Sequence, residues 1–221
     1  MNKSLIIVTI PALISLGASI YGMYKLFQKK KPLYFQLLVC AAACFALEEL
    51  YSTVGIWCNI YNSAINLGMI GVFGCNFFLL SANYGQLDSI VDDGNSINRK
   101  AKTIAWLGPI ILGLAIIAIV IIFMKQSIYA AFFGAIILAP SCPASYFNIK
   151  HLVMPVDDFG FLKATKACNV YALAFYLCDI FYAYCIIANA FMLQNIVALV
   201  MSILILLLVL SSVKGAKQWA I

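Results

Sequence analysis

Residues 103–124 read TIAWLGPIILGLAIIAIVIIFM, twenty-two positions without a charged side chain. That length matches the ~20 apolar residues a helix needs to cross the ~30 Å hydrocarbon layer of a bilayer. The apolar residues are continuous and do not alternate, which excludes a strand of a membrane β-barrel. Outward from this stretch, six further runs of similar character lie near 5–27, 33–55, 64–87, 127–149, 164–190 and 193–213. The breaks between runs are Gln28-Lys29-Lys30-Lys31-Pro32, Trp57–Ser63, Asp88–Lys102, Lys125-Gln126-Ser127, Lys150–Lys163 and Leu193-Gln194-Asn195. The expectation is an all-α polytopic membrane protein: seven transmembrane helices forming a single transmembrane domain over 1–221.

Composition agrees. The 221 residues are 65% hydrophobic and 10% charged, whereas a soluble domain carries about 25% charged residues. Seven spans with short connections leave no room within the chain for a kinase, ATPase or nucleic-acid module. The formal charge of +6 is first a topology signal, because Lys and Arg concentrate in cytoplasmic loops. With the N-terminus outside, the cytoplasmic side receives Lys25, Lys29, Lys30, Lys31, Arg99, Lys100, Lys102, Lys150, Lys163, Lys166, Lys214 and Lys217, and the outside only Lys3 and Lys125. An N-out, C-in chain with an odd number of spans follows. No clustered basic face with aromatic readers occurs, so nucleic acid is not an expected partner. The eight cysteines contain no CxxC pair and read as small helix-packing residues, with no metal site or disulfide framework indicated. The first apolar run lacks a small-residue cleavage site and reads as a retained helix.

The first three helices resemble the last three at one offset. Pro11 and Pro140 stand 129 positions apart, Glu48 and Asp179 131, and Leu80-Ser81 and Leu210-Ser211 130. This suggests repeats over 1–87 and 127–215 joined by the linker helix 103–124. A three-helix unit repeated after one linker helix keeps its orientation, which makes a parallel repeat about an axis along the membrane normal. The 3+1+3 plan, the N-out orientation, the chain length and the prolines in helices one and five resemble the SWEET and PQ-loop transporters, and the KDEL receptor shares the plan. The resemblance is one of topology; no Pro-Gln dipeptide is present. Microbial rhodopsins are excluded, because residues 196–213 hold no lysine for retinal.

Ionisable groups inside a span cost at least ~2.5 kcal/mol near its centre and mark candidate sites. Glu48, Glu49 and Asp179 qualify; Asp88, Asp92, Asp93, Asp157 and Asp158 fall in loops. Counted from Lys31 and Lys163, Glu48 and Asp179 lie 17 and 16 residues along their helices, about 25 Å in at 1.5 Å per residue. Equal depth places them opposite one another. With no buried Lys or Arg expected nearby, they must share a proton, take up a cation or open onto water. Tyr51 and Tyr182, one turn on, are expected either to cap the carboxylates or to join an interfacial aromatic belt. Asn76, on one face of helix three with Asn83, is a polar candidate, although such amides often only join helices. Pro140 and Pro143 should break helix five and free carbonyls for a ligand, or simply kink it. Gly68, Gly71 and Gly74 form a stripe for close helix approach.

Catalytic groups are few. His151, the only histidine, reads as a solvated residue beside Lys150, and GxSxG, HExxH and P-loop motifs are lacking. No catalytic residue, metal or cofactor is assigned. Three functional readings stand. A small-solute transporter with an intramembrane acidic site leads, because it accounts for the repeat, the acids and the broken helix together. A seven-helix sensor acting through a partner and an acid-dependent lipid hydrolase are the alternatives. The expected partners are the lipid bilayer, an unidentified small solute, and either further copies of the chain or another membrane protein. Short loops fit a bacterial inner membrane with a cytoplasmic C-terminus.

Overall fold

The computed structural model describes residues 3–28, 31–58, 60, 67–84, 96–153 and 160–218, the side chains of 3–5, 96–98, 160–164 and 216–218 excepted. Among these residues the chain is helical throughout. The helices are α1 (Lys3–Gln28), α2 (Leu33–Trp57), α3 (Met69–Ala82), α4 (Ser96–Ala105), α5 (Leu107–Met124), α6 (Ile128–Leu138), α7 (Ser141–Val153), α8 (Gly160–Ile187) and α9 (Phe191–Gln218). They form seven rods, because α4 runs into α5 across Trp106 and α6 into α7 across Ala139-Pro140.

Proline explains both interruptions. Pro109 and Pro140 lack the N–H that would close the helical bond to the fourth residue back, so the ladder is re-formed with tighter bonds. Trp106 N donates to Thr103 O at 3.3 Å, and Cys142 N to Ala139 O at 3.2 Å. Pro11 lies inside α1 without ending it.

Six rods are long and apolar enough to cross a membrane: Ile6–Gln28, Leu33–Trp57, Arg99–Met124, Ile128–Val153, Thr165–Ile187 and Phe191–Gly215. The third differs from expectation. Of the span expected over 64–87, only Met69–Ala82 is a described α-helix. Its 14 residues rise about 21 Å, short of the ~30 Å core; residues 61–66 and 85–95 lie outside the described set. The outside of the bundle is apolar, with Ile110, Ile111, Leu114, Ile117 and Ile121 of α5 and Tyr129, Phe132 and Phe133 of α6 exposed. Water would not tolerate so large an apolar patch on a monomer, and these rods fit an integral membrane protein.

Six rods close a ring in the order α1, α2, α3, α6–α7, α8, α9 and back to α1, with α4–α5 packed outside against α6, α7 and α8. Side-chain pairings give the directions. Thr53 Oγ1 donates to Val8 O while Gly22 lies on Val39, so α1 and α2 are antiparallel. Gly71 faces Glu48 and Gly74 faces Cys44, so α2 and α3 are antiparallel too. Asn76 meets Ile137 and Asn83 meets Asn148, so α3 runs parallel to α6–α7. Gly71 and Gly74 therefore do what the stripe's spacing suggested, while Gly68 stands in the turn ahead of α3. A Cβ on Gly71 would stand 2.5 Å from Cys44 O and 2.9 Å from Glu48 Cβ, so only glycine lets α3 approach this closely.

Two residues placed in a loop by the sequence are buried. Lys150 is 1% and His151 3% exposed, because α7 continues to Val153 and α4 packs along it. The amphipathic α4 turns Ala101 and Ala105 inward and Arg99 and Lys100 outward, covering the end of α7. Sequence periodicity of α7 alone carries no sign of that cover.

Candidate functional site

The site is built where α2, α3, α6 and α8 meet. Phe45 and Phe175 pack edge to face with ring centroids 5.3 Å apart, which turns α2 and α8 toward each other. One turn further along each helix stand Glu48 and Asp179, 2% and 3% exposed. Their charges lie within electrostatic range of one another and of the buried Cys75 thiol. Glu49 is buried beside Glu48 and within hydrogen-bonding reach of it.

Each acid has a defined partner. Ser52 Oγ donates to Glu48 Oε1 at 3.0 Å across one turn of α2. Asn76 Nδ2 donates to Asp179 Oδ2 at 2.7 Å and to the carbonyl of Ile137 at 3.3 Å. The Ile137 carbonyl belongs to the last turn of α6, ahead of the Pro140 break. Next to it, Leu138 O accepts from Ser141 Oγ at 2.7 Å. One buried amide thus ties the acid of α8 to the broken helix, which an ionised carboxylate, having no donor, could not do itself. The Asn76 Oδ1 atom remains buried without a hydrogen bond. Beside this level an apolar cavity of about 270 Å³ opens outward between α3 and α6, lined by Ile70, Phe73, Phe133, Ile136 and Ile137.

Of the residues expected at a site, Glu48, Asp179, Asn76 and the Pro140 break come together. Others do not. Tyr51 is 44% exposed and caps neither acid. The buried arc of α2 runs through Phe45, Glu48, Glu49, Ser52 and Thr53, so position 52, not 51, returns to Glu48. Tyr182 is buried, but its hydroxyl accepts from Gln194 Nε2 at 3.1 Å, at the corner joining α8 to α9. Pro143 points outward and is exposed, so its effect is confined to the backbone.

Four further polar residues are buried, Ser52, Asn148, Lys150 and His151. Ser52 carries no signal beyond its i+4 spacing from Glu48. Asn148 touches Asn83, whose Nδ2 donates to it; as a single amide in an apolar run it could have been flagged by the burial cost alone. Lys150 and His151 read as solvated in the sequence, yet both are buried. The burial of Lys150 does not supply a counter-charge for Asp179, since Lys150 lies thirteen residues beyond Ile137, about 20 Å along the rod. No group of three or more His, Cys, Asp or Glu able to hold a metal occurs among the described residues. No family model, curated protein or solved structure matches this chain.

Proposed function

We propose that this protein is a small-solute transporter whose coupling site is the Glu48–Asp179 pair with Asn76. The observation that carries the reading is a buried carboxylate, Asp179, held by an amide that also holds the carbonyl of a proline-broken helix, with a second buried carboxylate, Glu48, within electrostatic range on a separate helix. A carboxylate deep in a bilayer is costly unless it takes a proton or a cation. A broken helix lining an interior offers carbonyls to a ligand. Together these are the parts of a site that binds a cation and a solute in turn.

The order of contacts supports a parallel 3+1+3 repeat. Under a half-turn that exchanges α1, α2, α3 with α6–α7, α8, α9, the ring order is carried onto itself. The parallel contact of α3 with α6–α7 then corresponds to that of α9 with α1, where Gly22 meets Val209. The lysine and arginine distribution supports an N-out, C-in orientation in a plasma membrane.

The test is reconstitution into proteoliposomes loaded with a pH-sensitive dye, challenged with panels of sugars, amino acids and small cations. The reading expects one class to drive proton or cation movement, and Asp179→Asn to remove that coupling while the protein still folds. Solute uptake left unchanged by both Asp179→Asn and Glu48→Gln contradicts it.

A further inference from the structure

Below the acids, toward the end of the bundle formed by Asn83, Val153 and Gly160, the interior changes character. Asn83, Asn148, Asn169 and Tyr176 are all buried there, from α3's cap, α7 and α8. The Asn83–Asn148 contact is the one side-chain hydrogen bond among them, and Asn83 Nδ2 also donates to Leu79 O at 3.3 Å. The rest is unsatisfied. Asn83 Oδ1, Asn148 Nδ2, both polar atoms of Asn169 and the Tyr176 hydroxyl are buried without a hydrogen bond, as is Asn76 Oδ1 above them. The Tyr176 hydroxyl lies beside the Asn148 amide, within reach of a weak bond that falls short of full hydrogen-bond geometry.

These residues form a track. On α8, Thr165, Asn169, Ala172, Tyr176 and Asp179 follow one another at spacings of four, three, four and three, which is one helix face. Asn169 and Asp179 are ten residues apart, about 15 Å along the helix. A closely packed interior with several unpartnered amides is an unusual end state, since buried polar groups are nearly always bonded. The same side chains would be fully satisfied if the seam parted and water or a hydrated solute entered.

We propose that the seam between α3, α7 and α8 is a gate, closed in this structure, that opens toward the Asn83–Val153 end and gives Asp179 its access to that side. The Asn83–Asn148 bond is its latch. Opening costs the packing of the seam and is offset in part by hydration of its unpartnered groups. The gate rests on the transporter reading for its purpose, though not for its detection.

The test reads water access directly. Ala172, buried on the track, is changed to Cys, and its modification by a small water-soluble methanethiosulfonate is followed by peptide mass spectrometry. Native Cys185, fully buried near the opposite end of α8 and off the track, is the internal control. The gate predicts that Ala172→Cys reacts at least tenfold faster than Cys185. It also predicts that bridging Asn83→Cys to Asn148→Cys with a short bis-methanethiosulfonate, which forms a disulfide at each end, slows that reaction at least tenfold, and that reduction before labelling restores it. Reactivity of Ala172→Cys no greater than that of Cys185, or unaffected by the bridge, overturns the proposal. Uptake in the same proteoliposomes separates the two ideas. Bridge-sensitive labelling with no uptake of any solute leaves the gate and removes the transporter, whereas uptake undiminished by the bridge removes the gate and leaves the transporter.

Discussion

The two sides of the ring use polar residues differently. In the wall of α1, α2 and α9, Glu48 and Glu49 apart, the buried polar groups are mostly hydroxyls, several of which bond within their own helix. Ser15 Oγ donates to Ala12 O and Ser212 Oγ to Val209 O, at 3.1 and 2.8 Å. The surrounding contacts are apolar, with Phe35, Val39 and Val213 clustered together. In the wall of α3, α7 and α8 hydroxyls such as Ser141 and Ser145 are joined by the buried amides Asn76, Asn83, Asn148 and Asn169, and an amide has both donor and acceptor ends to satisfy. Asn76 and Asn83 bond across to other helices, while Asn169 bonds to nothing. A hydroxyl in a membrane helix is thus almost neutral, whereas an amide commits its helix to a partner or leaves a debt of hydrogen bonding. The first wall holds Glu48 and Glu49. The second holds Asp179 and the unfilled amide bonds.

Substitutions sharpen or break that contrast. The largest effect is expected where α2 of the first wall meets α3 of the second: Gly71→Val places atoms inside Cys44 O and the Glu48 backbone. Overpacking of this kind costs about 1–3 kcal/mol or more, and folded yield in detergent should fall sharply; a normal yield and melting temperature would mean that α3 does not sit this close. Next comes a pair of opposite signs. Asn76→Ala strips the Asp179 carboxylate and Ile137 carbonyl of their donor and should destabilise by about 1–3 kcal/mol. Asn169→Leu removes two unpartnered atoms and should leave stability unchanged or raise it, because an unsatisfied buried polar group is itself unfavourable. Equal losses for the two, read as thermal unfolding in detergent, would erase the difference between bonded and unbonded amides. The smallest effect belongs to the other wall. Ser15→Ala should change stability by less than about 0.6 kcal/mol, the average for such bonds inside membranes. A larger loss would show that hydroxyl bonding there is structural after all.

Much of this contrast could be read from the sequence, for a physical reason. Charge is so costly in a bilayer that Glu48 and Asp179 stood out on composition, and equal counts from the flanking lysines gave their common depth. The glycine spacing likewise named the face on which α3 meets α2. What could not be read depended on rotation and cover. Tyr51 and Ser52 are adjacent positions, and only the buried arc of α2 shows that Ser52 turns to Glu48 while Tyr51 faces outward. Pro143 shares a motif with Pro140 but lies on the outer face. Lys150 and His151 looked like loop residues because nothing in α7 itself announces that α4 lies over them. Asn148 gains its meaning only from Asn83, sixty-five positions away.

The bridge from Asp179 through Asn76 is the joint on which the account turns, and a double-mutant cycle measures it without knowledge of any solute. Stability of the purified protein is compared for wild type, Asn76→Ala, Asp179→Ala and the double variant. For a buried hydrogen bond at 2.7 Å the account predicts a coupling energy of about 0.6–1.7 kcal/mol, the range found for polar pairs within membranes. Strictly additive losses would contradict it, because Asn76 and Asp179 would then not meet.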